Sequence, residues 1–246
     1  MAALVRIRRF SSFHAGLDTP AFRTIIISYV CRRAAIWYNF FAHPGGCEIG
    51  PRPIDLHIKA LRLMGASISD TQYGVITCEA GRLKGCEIHL DYPSVGATEN
   101  IMLCSIFALG DTVIRNAARE PEIVDLQSYL VKAGARIRGA GSEEIRIEGL
   151  GPGARLSDVE YSVMPDRIVA GTFLTAVAAT GGRLCLDGVV PEHMSSIFSV
   201  LKESGCELTV RKDRVDLRAP PRTRAVDMIR TLPYPGFPTD MQPQMM

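Results

Sequence analysis

At 246 residues, with 47% hydrophobic and 22% charged side chains, the chain has the composition of an ordinary soluble globular protein and the length for one large core or two smaller ones. A net charge of +2 removes any electrostatic case for nucleic acid or an anionic membrane as the main partner, so an anionic ligand must be held by local arginines. The seven cysteines are scattered, odd in number and without a C-x-x-C pair, which fits reduced thiols in a cytoplasmic protein better than a disulfide framework.

Residues 1–43 carry Arg6, Arg8, Arg9, Arg23, Arg32 and Arg33 against one acid, Asp18. The Arg- and Ser-rich opening has the look of an organelle transit peptide, but a short basic leader, or translated sequence that does not belong to the fold, is the stronger reading. The apolar run from Thr24 to Val30 is far below the roughly 20 residues that span a bilayer, so no membrane segment is expected. A helix is predicted from Pro53, with Ile54, Ile58 and Leu61 on one face, followed by a strand at Val75. Cys86 and His89 have metal-like spacing, but their alternating phrase G-C-E-I-H-L-D reads as a strand, and without a second ligand pair no metal site is expected. Further helices are predicted between Ala97 and Leu109 (closed by Gly110), from Pro121, between Asp166 and Thr180 (closed by Gly181-Gly182), and from Pro191. Strands are predicted at Thr112, Ile145, Arg183 and Val215.

One phrase recurs: L-R-L-M-G-A-S-I at Leu61, L-V-K-A-G-A-R-I at Leu130 and L-K-E-S-G-C-E-L at Leu201. Its glycines, Gly65, Gly134 and Gly205, stand 69 and 71 residues apart, each where a helix ends and a strand begins. The chain is therefore read as α/β, in repeated units of about two helices and three or four strands. Such units cannot bury both sheet faces alone, so exposed apolar faces and self-association are expected. The chain ends at M-Q-P-Q-M-M after a Pro-rich loop, with no closing helix or strand, and truncation is expected there.

The segment with most chemistry is P-G-G-C-E-I-G-P-R-P-I-D-L-H, residues 44–57. Glycines on both sides of Cys47 make a loop able to move and to let backbone approach a ligand. A thiol there, with Arg52 nearby, suits acid or nucleophile work; an inert loop cysteine is the competing reading.

That segment is similar to the active-site loop of the UDP-N-acetylglucosamine enolpyruvyl transferases. S-V-G-A-T-E-N (residues 94–100), N-A-A-R-E-P-E-I-V-D (116–125), P-D-R-I-V-A-G-T-F (165–173) and P-Y-P-G-F-P-T-D-M-Q (233–242) follow in the family's order. The resemblance implies two lobes of repeated units in an inside-out α/β barrel, with residues 44–161 in the first lobe and 162–246 in the second. It implies transfer of enolpyruvyl from phosphoenolpyruvate to the 3-hydroxyl of UDP-N-acetylglucosamine, in peptidoglycan synthesis, with no cofactor. It places Cys47 as the acid that protonates the enol carbon and as the target of fosfomycin-type epoxides. Arg52, Pro53, Ile54, Asp55 and Leu56 match its nucleotide-binding run, and Tyr92, Pro93, Ser94, Val95 and Gly96 its diphosphate cradle. Asp55 also reads as a first-turn helix acid and Ser94 as a plain N-cap. Asp240 matches the aspartate at the acceptor hydroxyl, a general base or an orienting group; a turn aspartate is its competing reading. Arg119, Glu120, Asp166 and Arg167 read mostly as ion pairs that hold the two lobes.

The chain departs from the family's pattern in three places. Tyr92 stands where the family often has a lysine. The Lys-Asn pair that grips phosphoenolpyruvate has no counterpart, and Arg23 stands at the distance of a substrate-contacting arginine with different neighbours. Catalysis needs groups from both lobes, so weak turnover by this chain alone is expected, and an inactive UDP-sugar binder is the alternative function. The shikimate-pathway relative of the same fold lacks the P-G-G-C loop and the R-P-x-D-L run.

Overall fold

The computed structural model describes Leu4–Arg6, Trp37–Ala42 and residues 54–70 and 75–246. The chain divides into two compact units, one of Arg6–Glu160 and the other of Tyr161–Met246 together with Met1–Val5. At that division β1 (Leu4–Arg6) pairs with β9 (Glu160–Ser162) in a two-stranded sheet.

The recurring phrase becomes a recurring structure. In the first unit, α1 (Asp55–Leu63) leads into the hairpin β3 (Ser67–Asp70) and β4 (Val75–Ala80), and β2 (Trp37–Ala42) completes a three-stranded sheet in the order β2-β4-β3. The next copy runs β5 (Glu87–His89), α2 (Val95–Ser105), β6 (Asp111–Arg115), α3 (Pro121–Lys132), β7 (Arg136–Arg138) and β8 (Glu144–Glu148). Its sheet has the order β5-β6-β8-β7, with β5 parallel to β6 and the other pairs antiparallel. In the second unit, α4 (Arg167–Thr180), β10 (Gly182–Asp187), α5 (Ser195–Glu203), β11 (Glu207–Val210) and β12 (Arg214–Ala219) give the antiparallel order β10-β12-β11. In all three copies the strand after the hairpin turn takes the middle place.

The phrase forms this shape for a local reason. Gly65, Gly134 and Gly205 take φ of 97°, 108° and 95°, the left-handed conformation that stops a helix and turns the chain into a strand. The residue after each glycine then bonds back into the helix: Ala66 N, Ala135 N and Cys206 N donate to Leu61 O, Leu130 O and Leu201 O. The leucine of each phrase is buried in its core.

Three element boundaries differ from the sequence reading. The helix expected from Pro53 spans Asp55–Leu63, with Ile54 as its N-cap residue. The helix expected at 97–109 spans Val95–Ser105. It starts earlier because Ser94 caps it, and it stops earlier because the carbonyls of Ile106 and Ala108 accept hydrogen bonds from Leu150 N and Gly151 N instead. Pro191 opens a 3-10 turn, Pro191–Met194, and the α-helix proper begins at Ser195.

Each unit has its own core. The first is built on Met64, Ile88, Ile101, Met102, Ile114, Ile123, Ile145 and Ile147; the second on Leu174, Met194, Ile197, Leu201, Val215 and Leu217. Among the described residues no helix is long and apolar enough to cross a membrane.

Candidate functional site

The described residues of the 54–57 and 92–96 runs lie at the starts of two helices of the first unit. Ile54 is the N-cap residue of α1, Asp55 lies exposed in its first turn, and Leu56 is half-buried. An acid at that place meets the positive end of the helix dipole, so the helix itself accounts for Asp55 as well as a ligand does. Cys47, Arg52 and Pro53 lie outside the described residues, as does Arg23.

At the start of α2, Ser94 Oγ accepts from Ala97 N at 3.3 Å and so caps the helix. Ser94 N donates to Tyr92 O at 2.8 Å. The first-turn amides of Val95 and Gly96 bond to nothing among the described residues, as expected of the first turn of a helix. Pro93 is half-buried and Tyr92 largely exposed. Beside them Lys59 Nζ sits 2.6 Å from Asp91 Oδ2, and the hydrogen bond and charge of Lys59 hold the Asp91 carboxyl below the usual carboxylate range.

The two helix starts are joined by side chains to which the sequence reading assigned no role. His57, at the end of the D-L-H run, packs its ring against α2: a Cβ on Gly96 would lie 3.3 Å from His57 Cε1. Asn100, on the next turn of α2, places its Nδ2 2.6 Å from His57 Nδ1 and is buried, only 4% exposed. The signal for Asn100 was a polar amide in a helix that continues Ile101-Met102-Leu103-Cys104. A buried polar group needs a partner, but its identity is not local.

In the second unit Asp240 lies exposed in the 3-10 turn Thr239–Met241. Its neighbour Met241 is fully buried over Gly171 of α4, where an added Cβ would come within 3.0 Å of Met241 Sδ. The rest of the loop is tied down as well. Ser196 Oγ donates to Gly236 O at 3.2 Å, Leu232 N donates to Phe237 O at 3.0 Å, and Arg167 lies 5.6 Å from the Tyr234 ring centroid. Asp240 is thus an exposed carboxylate on a packed loop.

The other charged phrases serve their own units. Arg119 pairs with Glu143 at 2.5 Å, and Asp166 caps α4 by accepting from Ile168 N and Val169 N at 2.8 and 3.0 Å. Arg167 is buried against the tyrosine. Glu120 is buried, and Glu99 nearby has its carboxyl pushed up by burial and then by the charges of Glu122 and Glu120.

The family model for EPSP synthase (3-phosphoshikimate 1-carboxyvinyltransferase) matches residues 24–246. The chain belongs to this family. The match begins ahead of Pro44 and so takes in β2. Within the family, the chain is 56% identical over 206 residues to UDP-N-acetylglucosamine 1-carboxyvinyltransferase 2 of Caldanaerobacter subterraneus subsp. tengcongensis, which covers 84% of this chain and 48% of that protein. It is 54% identical over 206 residues to UDP-N-acetylglucosamine 1-carboxyvinyltransferase 1 of Symbiobacterium thermophilum, covering 83% and 46%. The chain thus spans about half the length of these curated relatives. In three dimensions it is similar to the enolpyruvyl transferase NikO from Streptomyces tendae, with a TM-score of 0.74 at 22% identity, over 92% of this chain and 53% of that one. The α/β units described above are those of the enolpyruvyl transferase fold.

Proposed function

We propose that this chain is part of an enzyme that moves the enolpyruvyl group of phosphoenolpyruvate to the 3-hydroxyl of UDP-N-acetylglucosamine, releasing phosphate, for peptidoglycan synthesis. The observation that carries this reading is the meeting of the 54–57 run with the 93–96 run, His57 lying on Gly96. Two segments far apart in sequence are thereby neighbours, which supports reading the Val95 and Gly96 amides as donors to an anionic ligand. The P-G-G-C loop and relatives more than half identical favour the amino-sugar nucleotide over a shikimate acceptor.

Making the vinyl ether requires a proton on the CH2 carbon of phosphoenolpyruvate, attack of the hydroxyl oxygen on the adjacent carbon, departure of phosphate, and return of the CH2 proton. In this reading Cys47 gives the first proton from its glycine-flanked loop, and Asp240 takes or orients the proton of the 3-hydroxyl. Arg52 forks onto the diphosphate beside the Val95 and Gly96 amides, Asp55 accepts from the uracil N–H, and Pro53, Ile54, Leu56, Tyr92 and Pro93 shape the nucleotide's bed. The free thiols at Cys78, Cys86, Cys104, Cys185 and Cys206 support a reducing, cytoplasmic setting.

Calorimetry of the 246-residue chain with UDP-N-acetylglucosamine, alongside phosphate release in the presence of phosphoenolpyruvate, tests the proposal. Binding is expected, weakened about tenfold or more by Arg52→Ala. Fosfomycin is expected to add its mass at Cys47, and Cys47→Ala should abolish the adduct while leaving nucleotide-sugar binding intact. No binding of UDP-N-acetylglucosamine would sink the reading; binding without phosphate release would reduce the chain to a binder.

A further inference from the structure

We infer that His57 and Asn100 act as a positioning pair that sets the spacing between the two ligand-facing helix starts, an inference that rests on the nucleotide-sugar reading above. Asn100 is 4% exposed, and its Nδ2 lies 2.6 Å from His57 Nδ1. With the Asn100 NH2 placed against Nδ1, Asn100 is the donor and Nδ1 the acceptor, an arrangement that needs the Nε2–H tautomer. The adjoining Cε1–Nε2 edge of the ring faces the first turn of α2: an ideal Cβ on Gly96 would lie 3.3 Å from Cε1 and 3.6 Å from Nε2. The imidazole thus meets α2 at two points, bonded to its second turn and packed on its first.

An apolar contact would let α1 slide along α2 at little cost. A buried, directional hydrogen bond does not, because moving either helix leaves the Asn100 amide without a partner inside the core. His57 directly follows the 54–56 run, and Gly96 is itself part of the cradle. Fixing this ring therefore fixes the reach from Asp55 to the Val95 and Gly96 amides, the span that one nucleoside diphosphate must bridge. His57 works through its neighbours and is a positioning residue.

The test compares the parent chain with His57→Ala, His57→Phe and His57→Asn by calorimetry with UDP-N-acetylglucosamine and by thermal melts. Asparagine puts an acceptor near the former Nδ1; phenylalanine fills the space without one. We expect His57→Ala and His57→Phe to weaken binding about tenfold and His57→Asn to recover it to within about threefold of the parent. Phenylalanine binding as tightly as histidine, or asparagine no better than alanine, would overturn the pair as a positioning device. A parent chain that binds no UDP-N-acetylglucosamine would sink the functional reading together with this one. A readout independent of ligand and of any variant is the long-range 1H–15N spectrum of the free chain. An Nε2–H tautomer at His57 is expected; an Nδ1–H tautomer would overturn Asn100 as the donor, and a His57 ring with no hydrogen bond at Nδ1 would overturn the pair whatever binds.

Discussion

Ser94 is a residue whose two roles can be pulled apart. Its hydroxyl caps α2 through Ala97 N, so Ser94→Ala should cost about 1 kcal/mol in denaturant unfolding. Ser94→Asp keeps a capping oxygen and suits the helix dipole, yet it brings a negative charge to the cradle. Stability close to that of the parent with UDP-N-acetylglucosamine binding lost is the expected result. Unchanged binding would leave Ser94 as a cap and nothing more. Glu99, on the same helix, offers a pH test. Burial, followed by the charges of Glu122 and Glu120, raises its carboxyl above the usual range. The folded chain therefore holds this proton more tightly than the unfolded chain. The group's contribution to stability is full below its unfolded pKa and is lost as pH rises through the folded one. Glu99→Gln should raise the melting temperature at about pH 8, with the gain fading toward about pH 4, near the unfolded carboxylate value. A gain that grows in acid would contradict this.

At the scale of elements, the helix-ending glycines separate backbone strain from packing. A Cβ at Gly65 or Gly134 would meet nothing within 4 Å, whereas both residues sit at clearly positive φ. Gly134→Ala should therefore cost about 1 kcal/mol through conformation alone, and Gly134→Asn less, since asparagine tolerates the left-handed region. Equal stability of the alanine variant and the parent would show that the turn relaxes. These positions were legible in the sequence because the phrase repeats and because glycine past a leucine-bearing helix is a local stop signal. The early end of α2 was not legible. Gly110 is a plausible stop and indeed takes positive φ, but the carbonyls before it are claimed by the loop at 150–151, a contact that no local pattern announces.

For the whole molecule, what matters most is that stability rests on two separate clusters of fully buried aliphatic side chains. Ile147, in the middle sheet strand of the complete repeat and fully buried, is the sharpest probe. Ile147→Ala should cost about 2–5 kcal/mol in denaturant unfolding, a large share of the roughly 5–15 kcal/mol typical of a domain. A loss below about 1 kcal/mol would mean that the core collapses around the gap. By itself the sequence determined the repeat, the helices and strands within its copies, and the phrases that tie the chain to enolpyruvyl transferases, but not β1, β2 or β9. All of these are read from neighbours a few residues apart, where periodicity, capping and turn chemistry act. Only the tertiary structure decided that His57 meets Asn100 across two helices, that Met241 anchors the Asp240 loop over Gly171, and that Arg167 finds Tyr234. A polar or aromatic side chain shows in sequence that it needs a partner, but which distant residue supplies it depends on how the whole chain packs.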